Sequence, residues 1–299
     1  MSRFIRISRI LPVVAVGAIG IVALGAPTSQ GGDPFVAGGR STRAAELSAT
    51  QAEQAKAHGR QLAAALALPG VSQRVVRLDD RFEHRTYDEV TSVDATGRDV
   101  AVARFETDGR LAMALVLGWQ PGHGMPIDPS AVETRGLGLV KAAGLAVAGR
   151  PNVVASAGSG GWSITWRRLV DGTPVRGDGV RVALWADGSF HGLSRIERPL
   201  AAAPARPIAA GAARKAAETW AGGHFGSASA DVRISTIERA WVAPNGAFAA
   251  NGLDAPAETL RLAWVVQFET RGALAMRLRS IETWLDATDG AVIGGDVIE

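Results

Sequence analysis

Residues 162–189 read WSITWRRLVDGTPVRGDGVRVALWADGS. Every second residue from Trp162 to Trp166 is apolar, and the same alternation returns over residues 180–184. A period of two is that of a β-strand with one buried face. One Asp-Gly pair lies between the two alternating segments and a second follows them, and such pairs favour tight turns between antiparallel strands. The stretch therefore predicts two antiparallel strands, each followed by a tight turn.

Three helical segments precede the runs of strands, and their ends carry capping signals. Ser48 and Gln51 have the spacing of a capping box. Asp128 followed by Pro129 is typical of a helix start. A Gly-Gly pair is expected to end the third segment. The predicted helices are Ala49–Leu66, Pro129–Val147 and Ile208–Ala221.

Helices that precede hairpin-linked strands indicate an α+β fold with helices on one face of an antiparallel sheet. Further strands are predicted over residues 100–107, 111–119, 232–242, 260–270, 276–286 and 292–293. Residues 93–98 echo residues 285–290, each ending a strand at a tight turn, which favours duplication of one helix-and-sheet unit. The expected divisions are a signal or anchor over 1–26, a linker over 27–46, and three similar units over 47–120, 128–200 and 207–299.

Turn residues are expected to define the hairpins. Proline fixes φ on entry to a turn, glycine adopts positive φ, and Asp-Gly closes hairpins. The residues predicted to do this are Asp171, Gly172, Pro174, Asp187, Gly188, Asp286 and Gly290.

The N-terminus predicts export. Three arginines within the first nine residues precede an apolar run over 10–26. Cleavage after Gly25 would place small residues, Ala23 and Gly25, where a signal peptidase needs them. The alternative is a retained membrane anchor, although the run is shorter than the ~20 residues that span a bilayer comfortably. We therefore expect the protein outside the cytoplasm, secreted or in the cell envelope.

Charge and composition exclude several partners. The chain has 32 basic and 29 acidic residues, and without the three N-terminal arginines the balance is 32 − 3 = 29 against 29. That balance removes the electrostatic case for nucleic acid or an anionic membrane surface. There is no cysteine, which excludes disulfides, thiolate metal sites and a cysteine nucleophile. No cofactor is expected.

The sequence favours a non-enzyme. Its histidines, at positions 58, 84, 123, 191 and 224, lack the spacing of a zinc-binding helix. A Gly-Ser-Gly sequence at Ser159 resembles a nucleophile elbow, but a strand follows it where that motif has a helix. Arginines 77, 81 and 85 interleave with Asp79, Asp80, Glu83, Asp88 and Glu89, which is typical of an ion-paired, solvated edge. A small serine hydrolase using Ser159 with His123 or His191 is left open.

Trp162 and Trp166 are the candidate partner-binding residues, because they share one face of a predicted strand. The favoured interpretation of such a face is core. The alternative is an exposed platform for a peptide or a glycan.

Two segments resemble known families. Residues 166–180, WRRLVDGTPVRGDGV, resemble the FTP segment in propeptides of thermolysin-type metalloproteases. Residues 260–266, LRLAWVV, and 284–292, WLDATDGAV, are similar to the PepSY domain, from which Asp289 departs by lengthening the last turn by one residue. Together the matches span roughly residues 160–298, and no peptidase domain accompanies them in this sequence.

The resemblance implies an α+β domain that binds proteins and acts, in proteases, as an intramolecular chaperone and inhibitor. We therefore expect an exported, non-enzymatic binding or regulatory protein whose partner is a protein, with a secreted peptidase as the first candidate. Cell-wall or glycan binding and the serine hydrolase are the alternatives. Nucleic acid is not expected as a partner, and membrane contact is expected only if residues 1–26 are retained.

Overall fold

The structure is a computed structural model. It describes residues 41–43, 46–80, 85–118, 125–155, 161–248, 258–276, 278 and 280–298. These form two compact units. The N-terminal unit comprises the described residues of Gly20–Leu169 together with Asp178–Glu197, and the C-terminal unit comprises Val170–Gly177 with the described residues of Arg198–Glu299.

The helices and strands are as follows. The helices are α1 (Ala49–Leu66), α2 (Pro129–Ala142), α3 (Ala210–Phe225) and the short α4 (Gly272–Ala275), with a 3-10 segment over Gly226–Asp231. The strands are β1 (Ser41–Arg43), β2 (Ser72–Asp80), β3 (Arg85–Val93), β4 (Asp99–Glu106), β5 (Leu111–Val116), β6 (Asn152–Ala155), β7 (Trp162–Val170), β8 (Thr173–Leu184), β9 (Phe190–Ile196), β10 (Val232–Val242), β11 (Arg261–Thr270), β12 (Ser280–Asp286) and β13 (Val292–Ile298).

The sheet of the N-terminal unit has the strand order β1-β2-β3-β4-β5-β9-β8, and β7 and β6 follow on the far side of β8. β5 pairs with β9 antiparallel, with Ala114 opposite Leu193. Alternate residues of these strands enter a core with α1 and α2, where Val90, Leu193 and Val140 are almost fully buried. The period-two pattern thus gives a sheet with two helices packed on one face.

The predicted helix starts are confirmed for α1 and α2. The Ser48 Oγ accepts a hydrogen bond from the Gln51 backbone N–H at 3.3 Å, and the Gln51 side chain accepts one from the Ser48 N–H at 3.1 Å. Asp128 caps α2 by accepting from the Ser130 N–H at 2.8 Å. However, α2 ends at Ala142 and not at Val147, because the following turn takes a positive φ that ends the helical geometry.

The sheet of the C-terminal unit has the order β8-β10-β11-β12-β13 and is mixed. β10 pairs with the start of β8 in parallel, with Trp241 opposite Val175, whereas its other neighbours run antiparallel. α3 packs on this sheet through Ala213, Ala217 and Ala221, which are buried against the strands. Small side chains allow this close approach.

Several predicted boundaries in this unit differ from the structure, and α3 begins at Ala210 and not at Ile208. α3 continues through Gly222 and Gly223 to Phe225, because its alanine face keeps it on the sheet, and it ends where Gly226 takes φ 55°. The strand expected from residue 276 begins at Ser280, since the chain first forms α4. The last strand is longer than expected and runs to Ile298.

The α+β class is confirmed, but the repeated helix-on-sheet unit is not. The β5–β9 pairing and a shared core join most of the predicted units 47–120 and 128–200 in one compact unit with two helices, whereas residues 170–177 and 198–200 belong to the C-terminal unit. The sequence indicates strands and turns but not which strands pair across long separations. The β5–β9 pairing therefore could not be predicted, and the strands on either side of it were assigned to different units.

The turn residues take the expected conformations. Asp171 and Gly172 both have positive φ, 49° and 74°, which is the requirement of a type I′ hairpin turn. Pro174 lies at the start of β8. The Asp187 carboxylate accepts from the Ser189 N–H at 2.9 Å beside Gly188, whose φ is 78°.

The echo between residues 93–98 and 285–290 is a shared turn geometry. The Asp94 and Asp286 carboxylates accept from the backbone N–H of Thr96 and Thr288 at 2.9 and 2.8 Å. The turn ends with Gly97 N–H donating to the Asp94 carbonyl, three residues back, whereas Gly290 N–H donates to the Asp286 carbonyl, four residues back. The second turn is therefore one residue longer.

Among the described residues, no helix is long and apolar enough to cross a membrane. Residues 1–26, where export is predicted, lie outside the described part of the chain.

Candidate partner-binding edge

The carboxylates of the acidic cluster are held by cationic or hydroxyl partners. Asp88 accepts two hydrogen bonds from Arg77, at 2.7 and 3.0 Å, and this contact raises the pKa of the guanidinium. Glu89 accepts from Arg104 at 2.8 Å. Such pairing holds these side chains in place between neighbouring strands, which suits a structural role. The remaining described members, Asp79 and Asp80, contact Thr86 and Arg104, and residues 81, 83 and 84 lie outside the described residues.

The described histidines lie apart, each against an aromatic ring. His58 lies 5.6 Å from Phe105, and His191 stacks on Trp185 at 4.0 Å. His224 packs among rings at the end of α3. In the described part of the chain no three His, Asp or Glu side chains group as metal ligands. Ser159 and His123 lie outside the described residues, so the serine hydrolase stays a prediction.

Trp166 belongs to the core, as the favoured interpretation of this strand face predicts, so it is not available as a partner-binding residue. It is 3% exposed and packs with Ile164 beneath Gly136 of α2. Trp162 is half-buried beside the same core. α2 covers the apolar face of β7 that carries Trp166. The ring is therefore not accessible to a glycan or a peptide.

A buried carboxylate that the sequence did not single out lies in the glycine-rich corner of β8. The Asp178 side chain is fully buried and lies 3.3 Å from Arg168 of β7. Arg168 also lies 3.6 Å from Glu197. The corner that carries Asp178 is held by Gly179, whose φ is 140°. Asp178 and Arg168 therefore form an ion pair between neighbouring strands, which suits a structural role.

The β13 edge of the C-terminal sheet is guarded. The Asn245 side chain donates to the Gly295 carbonyl at 2.7 Å and accepts from the Gly295 N–H at 3.1 Å, as a paired strand would. The Asp296 carboxylate accepts from the Val297 N–H at 2.8 Å. Gly246 donates to the Ile293 carbonyl. These bonds occupy the groups that an added strand would need.

The β6 edge of the N-terminal sheet is open within the described part of the chain. β6 pairs antiparallel with β7, with Val154 opposite Ser163, and no other described strand pairs with it. Alternate residues of an edge strand direct their N–H and C=O groups away from the sheet. Val154 is 50% exposed, and Leu169 on β7 is exposed equally. The edge thus presents backbone groups beside exposed apolar side chains.

Two exposed arginines lie beyond the same end of this edge, the end that holds Asn152. Arg150 precedes β6, and Arg167 lies on β7 just beyond Thr165, the residue opposite Asn152. No described carboxylate forms an ion pair with either. Most other arginines of this unit's sheet are paired, as with Arg77 and Asp88. The edge therefore combines open backbone groups, apolar contact and uncompensated positive charge.

The sequence did not predict β6. Its signal was a pair of adjacent β-branched residues, Val153 and Val154, which follow Pro151 and Asn152. Four residues are too few to show a period, and nothing local tells an edge strand from a central one.

Comparison with solved structures gave matches that include one bacterial domain. The structure is similar to the Bacillus megaterium YpeB C-terminal domain, with a TM-score of 0.45 and 13% sequence identity, over 86% of this chain and 100% of that one. No family model matches the chain, and no curated protein matches it. The resemblance to FTP and PepSY domains therefore stays a prediction.

Proposed function

We propose that this chain is an exported, non-enzymatic binding protein that takes an extended segment of a partner protein along β6. A secreted peptidase is the first partner to test, and restraint or assistance of that enzyme is the proposed role. The observation that carries the proposal is the contrast between the two sheet edges. β13 is closed by Asn245 and Asp296, whereas β6 has no such guard among the described residues.

Strand addition supplies affinity through main-chain hydrogen bonds and specificity through neighbouring side chains. Here Val154 would contact an apolar side chain of the added segment. Arg150 and Arg167 would pair with a carboxylate near the end of β6 that holds Asn152. The preferred segment is therefore extended, partly apolar and acidic. β6 has only four residues and follows Pro151, so the added strand is short.

Site-specific photo-crosslinking tests this role. The full chain carrying p-benzoylphenylalanine at Val154 is illuminated in the extracellular fraction of producing cells, with the same group at exposed Ala64 of α1 as control. We expect one polypeptide adduct from position 154 and none from position 64. Equal adducts from both positions, or none from either, would contradict the proposal.

A charge reversal makes the test specific. Arg150→Glu with Arg167→Glu should abolish the adduct at position 154, because the acidic segment would then be repelled. The matched control, Arg206→Glu with Arg214→Glu, changes net charge equally at exposed positions of the C-terminal unit and should leave it intact. An adduct that survives the first pair and not the second would show that the arginines beside β6 do not recognise the partner.

Two further measurements separate the alternatives. Labelling of Ser159 by a fluorophosphonate would replace the binding role by a serine hydrolase. N-terminal sequencing of the mature protein should begin at Ala26 if cleavage follows Gly25, and an intact Met1 would favour a retained anchor.

A further inference from the structure

Four aromatic side chains meet at the C-terminal end of α3 and form what we term the aromatic box: Trp220, His224, Phe225 and Phe248. Trp220 and His224, one helical turn apart, stack with ring centroids 4.9 Å apart and planes at 18°. Phe225 and Phe248 stand nearly perpendicular to the imidazole, at 80° and 76°, with centroids 4.8 and 5.4 Å away. The imidazole therefore stacks on an indole and also packs against two phenyl rings, and His224 as a whole residue is exposed.

The wall formed by Phe248 is held in place at a conformational cost. Phe248 has φ 65°, a region that a bulky residue rarely adopts and that costs on the order of 1–3 kcal/mol. The Asn245 side chain anchors the same loop by accepting from the Ala247 N–H at 3.0 Å and by bonding Gly295. A Cβ on Gly295 would lie 2.5 Å from Phe248, so glycine there makes room for the ring. Backbone strain that neighbouring residues maintain in the folded protein is often found at functional positions.

The position that the His224 imidazole occupies among these rings suits a positive charge better than it suits a neutral imidazole. His224 is exposed as a whole residue, but the partial burial of its imidazole among these rings lowers the pKa of that group and so favours its neutral form. Aromatic faces attract organic cations, and sites built from several rings bind quaternary ammonium groups. The attraction of Trp220, Phe225 and Phe248 for a cation is therefore unused while neutral His224 lies between them.

We propose that the aromatic box is a binding site for an organic cation, in which the imidazole of His224 occupies the cation's place until it rotates outward. The cation is a quaternary ammonium or a protonated alkylamine, free in solution or at the end of a partner's lysine side chain. This site lies on the C-terminal unit and is independent of β6.

The test compares choline with its neutral isostere 3,3-dimethylbutan-1-ol, which has the same shape without the charge. Binding to the full chain is followed by calorimetry and by the NMR signals of the Trp220 indole. Choline should bind about two- to fivefold more tightly than the isostere, which is the expected strength of a cation–π contact at an exposed site. Equal affinities would overturn the proposal, because they would mean that only apolar contact operates.

Two variants locate the site. His224→Ala should tighten choline binding several-fold, because no side chain then competes for the space. Phe225→Leu keeps an apolar wall of similar size but removes its π face, and should weaken choline binding to the His224→Ala protein. Absence of choline binding to the His224→Ala protein, or no effect of Phe225→Leu, would overturn the proposal. A lysine-containing peptide that binds more tightly than choline would identify a partner side chain as the source of the cation, and the reverse order would identify a free ligand.

Discussion

Replacing Gly179 by alanine should destabilise the N-terminal unit more than any single positive-φ glycine in open space. Gly179 has φ 140°, and a Cβ there would lie 2.1 Å from the carbonyl oxygen of Trp166 and 3.1 Å from the Arg167 Cα. Both contacts are with backbone, so no side-chain rotation relieves them. The unfavourable φ costs about 1–3 kcal/mol and the overlap a further ~1–3 kcal/mol, which gives roughly 2–6 kcal/mol in all.

Gly97→Ala is the matched control. Gly97 lies in the same unit with φ 85°, and no atom outside its own chain neighbours lies within 4 Å of the place that an alanine methyl group would take. Its substitution therefore carries only the backbone cost of about 1–3 kcal/mol. The difference between the two variants isolates the close approach of β7 to β8.

Urea unfolding followed by tryptophan fluorescence provides the assay, with the free energy of unfolding taken from the midpoint and slope. If Gly179→Ala costs no more than Gly97→Ala, the backbone approach at Trp166 does not constrain this position, and the explanation of the glycine-rich corner fails.

Three further predictions concern the same unit. Ser48→Ala should lower the free energy of unfolding by about 1 kcal/mol through loss of the α1 cap, whereas Ser48→Asp should retain it; equal losses in urea unfolding would argue against the cap. Burial lowers the pKa of His191, so the folded state binds fewer protons, and stability should fall as pH drops from about 6.5 toward the folded-state pKa; an NMR titration showing a raised pKa would reverse that sign. Asp178→Asn should cost about 3 kcal/mol, because it leaves Arg168 without its buried counter-charge, against under about 1 kcal/mol for exposed Asp108→Asn; similar midpoints for the two would show that burial does not matter here.

Local patterns were sufficient for many of the elements, although they did not predict β2 or β6. The alternation in residues 162–184 predicted β7 and β8, and Asp171-Gly172 predicted the turn between them, because side-chain period and positive φ are properties of neighbouring residues. The α1 capping box was readable for the same reason, since Ser48 and Gln51 meet within one turn.

The candidate sites depended on contacts that no local pattern encodes. Trp162 and Trp166 drew attention as aromatic residues on one face, yet α2 buries Trp166. The residues that form the aromatic box were not recognised as a group, because Phe248 joins Trp220 and His224 only after the chain has passed through β10. β6 is open only because no described strand lies beyond it.

The sequence by itself determined an α+β protein of alternating strands with capped helices and a charge balance of zero after its three N-terminal arginines, and it predicted export from its N-terminal segment. Only the tertiary structure decided that β5 pairs with β9, that Asp178 is buried against Arg168, and that one sheet edge is guarded by Asn245 while no described strand lies beyond β6. The physical reason is how far apart in the sequence the interacting residues lie. Period, turn and cap are fixed by residues a few positions apart, whereas pairing, burial and exposure depend on which distant segments the folded chain brings together.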